Sequence, residues 1–241
     1  MNRPDNRQPH ELRPIIFTPG YTQWAEGSVL AACGQTQVLC NVTIEDQLPP
    51  WLRGAKPPQG WLTAEYAMLP RSTHQRTPRE QRWPKGRTQE ISRLIGRSLR
   101  MALDLTQLGE RTLTVDCDVL QADGGTRTAA INGSWVAVQL ALRPLVAAGA
   151  VPEAVFRHQI AAISAGILDN TPLLDLAYTE DAAADVDINL VMTGSGQIVE
   201  IQGTAEHAPI PRAALDSLID LAASGISQIL ALQLQTLNQS S

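Results

Sequence analysis

The 241 residues carry 44% hydrophobic and 18% charged side chains, ordinary values for a folded globular protein, which excludes wholesale disorder. Aromatic residues are only 4%, so aliphatic side chains must build most of the core. The formal net charge of −5 is unevenly spread: residues 1–130 hold 16 Lys/Arg against 13 Asp/Glu, whereas residues 131–241 hold 3 against 11.

The polar opening MNRPDNRQPHELRP lacks the apolar centre of a secretory signal, and the apolar runs are broken before the ~20 residues of a bilayer span. Cys33, Cys40 and Cys117 are an odd set, each within an apolar run, and read as buried free thiols of a reducing compartment. A cytoplasmic protein with no membrane partner is expected. With no CxxC and scattered histidines, a structural zinc site is not.

Residues 28–44, SVLAACGQTQVLCNVTI, predict two strands joined at Gly34-Gln35. Pro and Gly make 49–60 a loop, and Pro70, Pro78 and Pro84 do the same for 70–86. Residues 71–100 contain nine basic side chains and two acidic ones, which points to a polyanionic partner or to a solvated loop. Over 88–105, Ile91, Leu94, Ile95, Leu99 and Ala102 share one helical stripe, with Arg93, Arg97 and Arg100 on the opposite face. Alternation of Leu113, Val115, Cys117 and Val119 with polar residues predicts a half-buried strand over 111–121. A helix follows from Thr128 to Ala148, ending at Gly149, with Pro144 expected to kink or split it. Residues 159–168 predict a strand, Asp169-Asn170 a turn, and 186–193 and 197–203 two strands about Gly194-Ser195-Gly196. A long helix starts near Pro211, with a stripe of Leu215, Leu218, Ile219, Ala222, Ile226, Ile229 and Leu230. The mixture argues for an α+β or mixed-sheet α/β architecture. No linker divides it, so one domain over 1–241 is expected, with lobes at 10–150 and 151–237.

Two clusters carry chemistry. In Gly124-Gly125-Thr126-Arg127-Thr128, between a strand and a helix, glycines allow close approach, the helix start offers free N–H groups, and the hydroxyls and guanidinium suit an anion. A plain turn with a capping threonine is the alternative reading. In Tyr178-Thr179-Glu180-Asp181 through Asp187, clustered carboxylates suit Mg²⁺ or a general acid, or form a solvated acidic loop. Taken together, the clusters suit phosphoryl or nucleotidyl transfer.

The stretches GSVLAACGQTQVLC, GWLTAEYAMLPRST, KGRTQEISRLIGRSLR, DCDVLQADGGTRTA, YTEDAAADVDINLVM and EIQGTAE, with LRP near the start, together resemble the ribonuclease PH family over roughly residues 3–230. The resemblance implies two related βαβα-type lobes and a homo-hexamer built as a trimer of dimers. It also implies a phosphorolytic 3′-to-5′ exoribonuclease that trims transfer RNA precursors, a tRNA- and RNA-binding protein of tRNA and rRNA processing. Inorganic phosphate is then the co-substrate and nucleoside diphosphates the products. By that resemblance Arg87, Gly125, Thr126 and Arg127 bind phosphate, and Asp181 and Asp187 are the catalytic pair that holds Mg²⁺ or a similar cation. Arg71, Arg76 and Arg79, interleaved with Pro and Thr, are expected to grip the RNA backbone. The chain departs from the family pattern at Ala182, usually Ser, at His207 after the final TAE, and at Pro144. The alternative function is a silent RNA-binding ring subunit, against which the presence of all these arginines and aspartates argues. A small-molecule phosphotransferase would have no need of the cationic stretch.

Overall fold

The computed structural model describes residues 3–79 and 86–239; Arg82 and Lys85, part of the cationic stretch, lie outside the described residues. Strands β1 (Ile15–Pro19), β2 (Gly27–Cys33) and β3 (Thr36–Glu45) form an antiparallel meander. The β2–β3 turn falls at Gly34, whose φ of +55° suits glycine. Strand β4 (Trp61–Met68) runs parallel to β5 (Thr112–Gln121), and helix α1 (Gly86–Ala102) supplies the crossover that parallel neighbours need. The resulting five-stranded sheet has the order β1-β2-β3-β5-β4.

The second lobe holds β6 (Ile160–Leu168), β7 (Thr171–Leu174), the one-turn helix α3 (Tyr178–Asp181), β8 (Val186–Thr193), β9 (Ile198–Ala205) and α4 (Arg212–Gln239). Its four strands pair antiparallel in the order β7-β6-β8-β9. Asp169 and Asn170, both at positive φ, make the β6–β7 turn.

Helix α2 (Thr126–Ala147) joins the lobes, packing on β2 and β3 on one side and β6 on the other. Being covered on several faces, it shows no apolar stripe and buries residues from Thr126 through Leu142 nearly without interruption. Ile131 and Leu142 are fully buried, each contributing about 1.5–3 kcal/mol. The buried Asn132 amide donates to the Ala162 carbonyl (2.8 Å) and accepts from the Ala162 N–H (2.7 Å), tying α2 to β6. One continuous apolar core therefore runs through both lobes.

Pro144 does not split α2, which continues to Ala147. The ring removes a single N–H close to where the helix ends, and the Pro144 carbonyl still accepts from Ala148 at 3.0 Å. In α1 the expected apolar stripe is buried and Arg93 and Arg97 face solvent. Arg100 instead turns inward: its guanidinium lies 4.8 Å from the Trp61 ring centroid and donates to the Leu62 carbonyl. By length and a mean hydropathy of 1.4, α4 would pass as a membrane span, contrary to the expectation from sequence. In the fold it lays Leu218, Ala222, Ile226 and Ile229 against the second sheet and the neighbouring elements. All three cysteines are buried and free, as expected.

Candidate active site

The strand β5 delivers the chain into Asp123-Gly124-Gly125, and α2 starts at Thr126. Gly124 and Gly125 both adopt left-handed φ, +76° and +68°. A Cβ on Gly124 would lie 2.5 Å from the Leu176 carbonyl oxygen, so only glycine lets this turn meet the second lobe. Gly125 caps α2 without a side-chain hydrogen bond, and the first-turn N–H groups point out of the helix start. The threonine hydroxyls are less available than the sequence suggests. Thr128 Oγ1 donates back to the Gly125 carbonyl at 2.9 Å, and Thr126 Oγ1 shares a 2.8 Å hydrogen bond with the Tyr66 hydroxyl. What the turn offers an anion is chiefly backbone N–H and the Arg127 guanidinium. That guanidinium donates to Glu90 Oε1 (3.1 Å) on α1 and Gln202 Oε1 (2.9 Å) on β9.

Opposite stands α3, expected from sequence only as an acidic stretch. Its Glu180 turns away from the cavity and is buried in a bidentate pair with Arg3, both contacts 2.7 Å. Asp181, on α3, is exposed, and Asp187, at the start of β8, is half-buried. Desolvation pushes the Asp181 carboxyl above its ordinary value, against the opposing pull of Arg87, Arg127 and Arg13. Burial also raises Asp187, with the charges of Asp181 and Glu206 adding to it and Arg127 opposing. The Tyr66 phenol behind the cradle is likewise raised by burial.

One cavity of about 890 Å³ is lined by Arg87, Gly125, Thr126, Arg127, Asp181 and Asp187 together. Arg87 and Arg127, forty positions apart, meet there because α1 and α2 begin at the same end of the fold. Arg71, Arg76 and Arg79 are exposed and do not line the cavity, although Thr73, His74, Gln75 and Thr77 of the same loop do. His74, which no spacing marks, also lines it, and Tyr178, 62% exposed, forms its rim. Nor does spacing mark Arg13, whose Nη1 donates to the Asp123 carbonyl and whose Nη2 donates to that of Gly124. Only the Leu12-Arg13-Pro14 resemblance hints at it, because nothing local marks its pairing with Asp175, 162 positions away.

Comparison with known proteins agrees over nearly the whole chain. The 3′ exoribonuclease family, domain 1, matches residues 11–144, and domain 2 of the same family matches residues 158–225. Ribonuclease PH of Cyanothece sp. is 56% identical over 98% of both chains, as is ribonuclease PH of Synechococcus elongatus. Among solved structures, rice (Oryza sativa) Rrp46 superposes with a TM-score of 0.79 at 22% identity, covering 98% of this chain and 100% of that one. An Archaeoglobus fulgidus exosome chain, solved with RNA bound to the active site, gives 0.77 at 21% identity, covering 95% and 91%. The last two likenesses concern the fold. With both halves matched and full-length relatives above half identity, the chain belongs to the 3′ exoribonuclease family, in its ribonuclease PH branch.

Proposed function

We propose that this protein trims transfer RNA precursors from the 3′ end by phosphorolysis. Orthophosphate binds where Arg87, Arg127 and the first N–H groups of α2 converge, groups suited to a nearly dianionic ligand. One of its oxygens attacks the terminal phosphodiester. The bond from phosphorus to the O3′ of the preceding nucleotide breaks, O3′ takes up a proton, and a nucleoside diphosphate leaves. The observation that carries this reading is the single cavity shared by the two arginines, the glycine-started helix and the two aspartates.

Asp181 and Asp187 fit Mg²⁺. Two carboxylates with phosphate oxygens and water make up the usual hard-oxygen set. None of the ion pairs among the described residues uses either one. No cluster of three or more His, Cys, Asp or Glu there offers a fuller cage. Bound, the cation would offset charge on the reacting oxygens. The aspartates would hold it and would pass on the proton that O3′ takes up. Arg127 releases Glu90 and Gln202, at least in part, when phosphate arrives.

Arg71, Arg76 and Arg79 hold the RNA backbone outside the cavity, so unpaired 3′ tails are preferred to duplex ends. The exposed Trp24, Ile16, Ile198 and Leu234 support subunit contacts in a homo-hexamer, a trimer of dimers. The free thiols support a cytoplasmic setting, and processing of ribosomal RNA is a further role.

The test is incubation with a 3′-extended transfer RNA, with and without orthophosphate, and separation of the released mononucleotides. Diphosphates that appear only with phosphate are expected. Monophosphates formed without phosphate would mean hydrolysis, and RNA binding with no product would mean a silent ring subunit.

A further inference from the structure

We propose that the N-terminal arm, residues 3–13, is a two-ended clamp that sets the separation between the phosphate cradle and the acidic turn, with Arg13 and Arg3 as positioning residues. The inference rests on the reading that phosphate sits at residues 125–127 and that Asp181 acts in cleavage.

At one end, Arg13 holds the cradle through the carbonyls of Asp123 and Gly124. At the other, Arg3 takes both oxygens of Glu180, the residue covalently before Asp181, while Glu180 Oε2 also accepts from the Ala177 N–H at 2.9 Å. The ends meet at Asp175. Its carboxylate accepts from the Arg13 backbone N–H (2.8 Å), Nε (3.0 Å) and Nη2 (2.6 Å), and its carbonyl accepts from Arg3 Nη2 (2.9 Å). The Leu174 N–H donates to the Pro9 carbonyl at 2.8 Å and fixes the arm along the end of β7.

All four charged side chains are at least 97% buried. Burying guanidinium and carboxylate pairs is costly, and apolar residues of similar size would hold an arm in place at least as well. What the planar forks add is direction: each bidentate contact fixes an angle as well as a distance. The turn at Gly124 leaves no slack against Leu176, so a small change in the arm transfers to the gap between Arg127 and Asp181. Displacements near 1 Å at such a gap cost about a hundredfold in rate.

The test uses the full-length enzyme, calorimetric titration with orthophosphate, and steady-state phosphorolysis of a 3′-extended RNA. Arg3→Lys keeps the charge but loses the fork. It is expected to leave the phosphate Kd within about twofold and to lower kcat about tenfold or more. Arg13→Lys is expected to weaken phosphate binding about tenfold, because the cradle loses its support. Glu180→Gln should reproduce the Arg3→Lys pattern. Lower Tm with unchanged Kd and kcat per folded molecule would overturn the clamp. So would failure of all three variants to fold, which would assign the arm to stability alone. Arg127→Ala is the control: a normal phosphate Kd there would remove the phosphate seat itself, an outcome distinct from normal behaviour in the arm variants.

Discussion

The two walls of the cavity are built by different physics. The centre of the cradle wall is local: two glycines at positive φ, a helix that starts without a side-chain cap, and an arginine in its first turn all lie within four residues, with Arg87 and the supporting Arg13 joining from afar. The acidic wall is not local. Helix α3 is a single turn, too short to hold itself, and its position depends on buried arginines more than 160 positions away. The glycine turn and Arg127 are therefore readable from a short window of sequence, whereas Asp181 is placed through the long-range Arg3–Glu180 pair, which no window contains. Substitutions in the two walls should fail in different ways.

The largest effect is expected on the acidic wall itself. Asp187→Asn should lower kcat by about 10²–10⁴ with the phosphate Kd little changed, as single-turnover kinetics and calorimetry would show. Normal turnover in this variant would remove the carboxylate pair from the reaction. On the cradle wall, Arg127→Ala should raise the phosphate KM by about 10–100-fold, the loss of a charged hydrogen bond or two, while RNA binding persists. Equal losses in both parameters would mean that the two walls are not separable.

Gly124→Ala probes where the walls touch. Its Cβ would meet the Leu176 carbonyl at 2.5 Å on a backbone already at φ +76°. The expected destabilisation is about 1–3 kcal/mol, read from urea midpoints. An unchanged midpoint would show that the contact is loose.

Acid should act on the wall built by ion pairs. Burial alone would raise the Asp175 carboxyl, but hydrogen bonds and charge from Arg13, with Arg7 behind it, hold it below its ordinary value. A depressed carboxyl stabilises the fold fully above about pH 4 and loses that contribution as pH falls through the lower folded value. Thermal melts should show this fall in the wild type and a shallower one in Asp175→Asn. Parallel curves would contradict it.

The smallest effects belong outside the cavity. Arg76→Ala should weaken RNA binding modestly and reduce the salt slope of log K by about 0.7, the value for one phosphate contact on a single strand, with no change in phosphate KM.

Much of the fold was legible because its elements carry strong periods. The alternation in β5, the stripe in α1 and the turns at Gly34 and Asp169-Asn170 all follow from residue type and spacing. Strands β1 and β7 are only five and four residues long, too short to carry a period, whereas β4 does alternate, burying Leu62, Ala64 and Tyr66, and the sequence reading passes over it. Helical spacing sets Arg100 on the solvent-facing side with Arg93 and Arg97, because it does not reveal a neighbouring tryptophan. Around the site, resemblance named residues that periodicity could not, and both missed the fates of their partners. The Thr128 hydroxyl turns back to its own helix start, and Arg127 rests on Glu90 and Gln202.

The most direct measurement is a crystal structure of the protein with orthophosphate. The account predicts the ion between Arg87 and Arg127, within hydrogen-bond distance of the first N–H groups of α2 and facing Asp181 and Asp187. Phosphate bound elsewhere, with Arg127 still on Glu90 and Gln202, would contradict it.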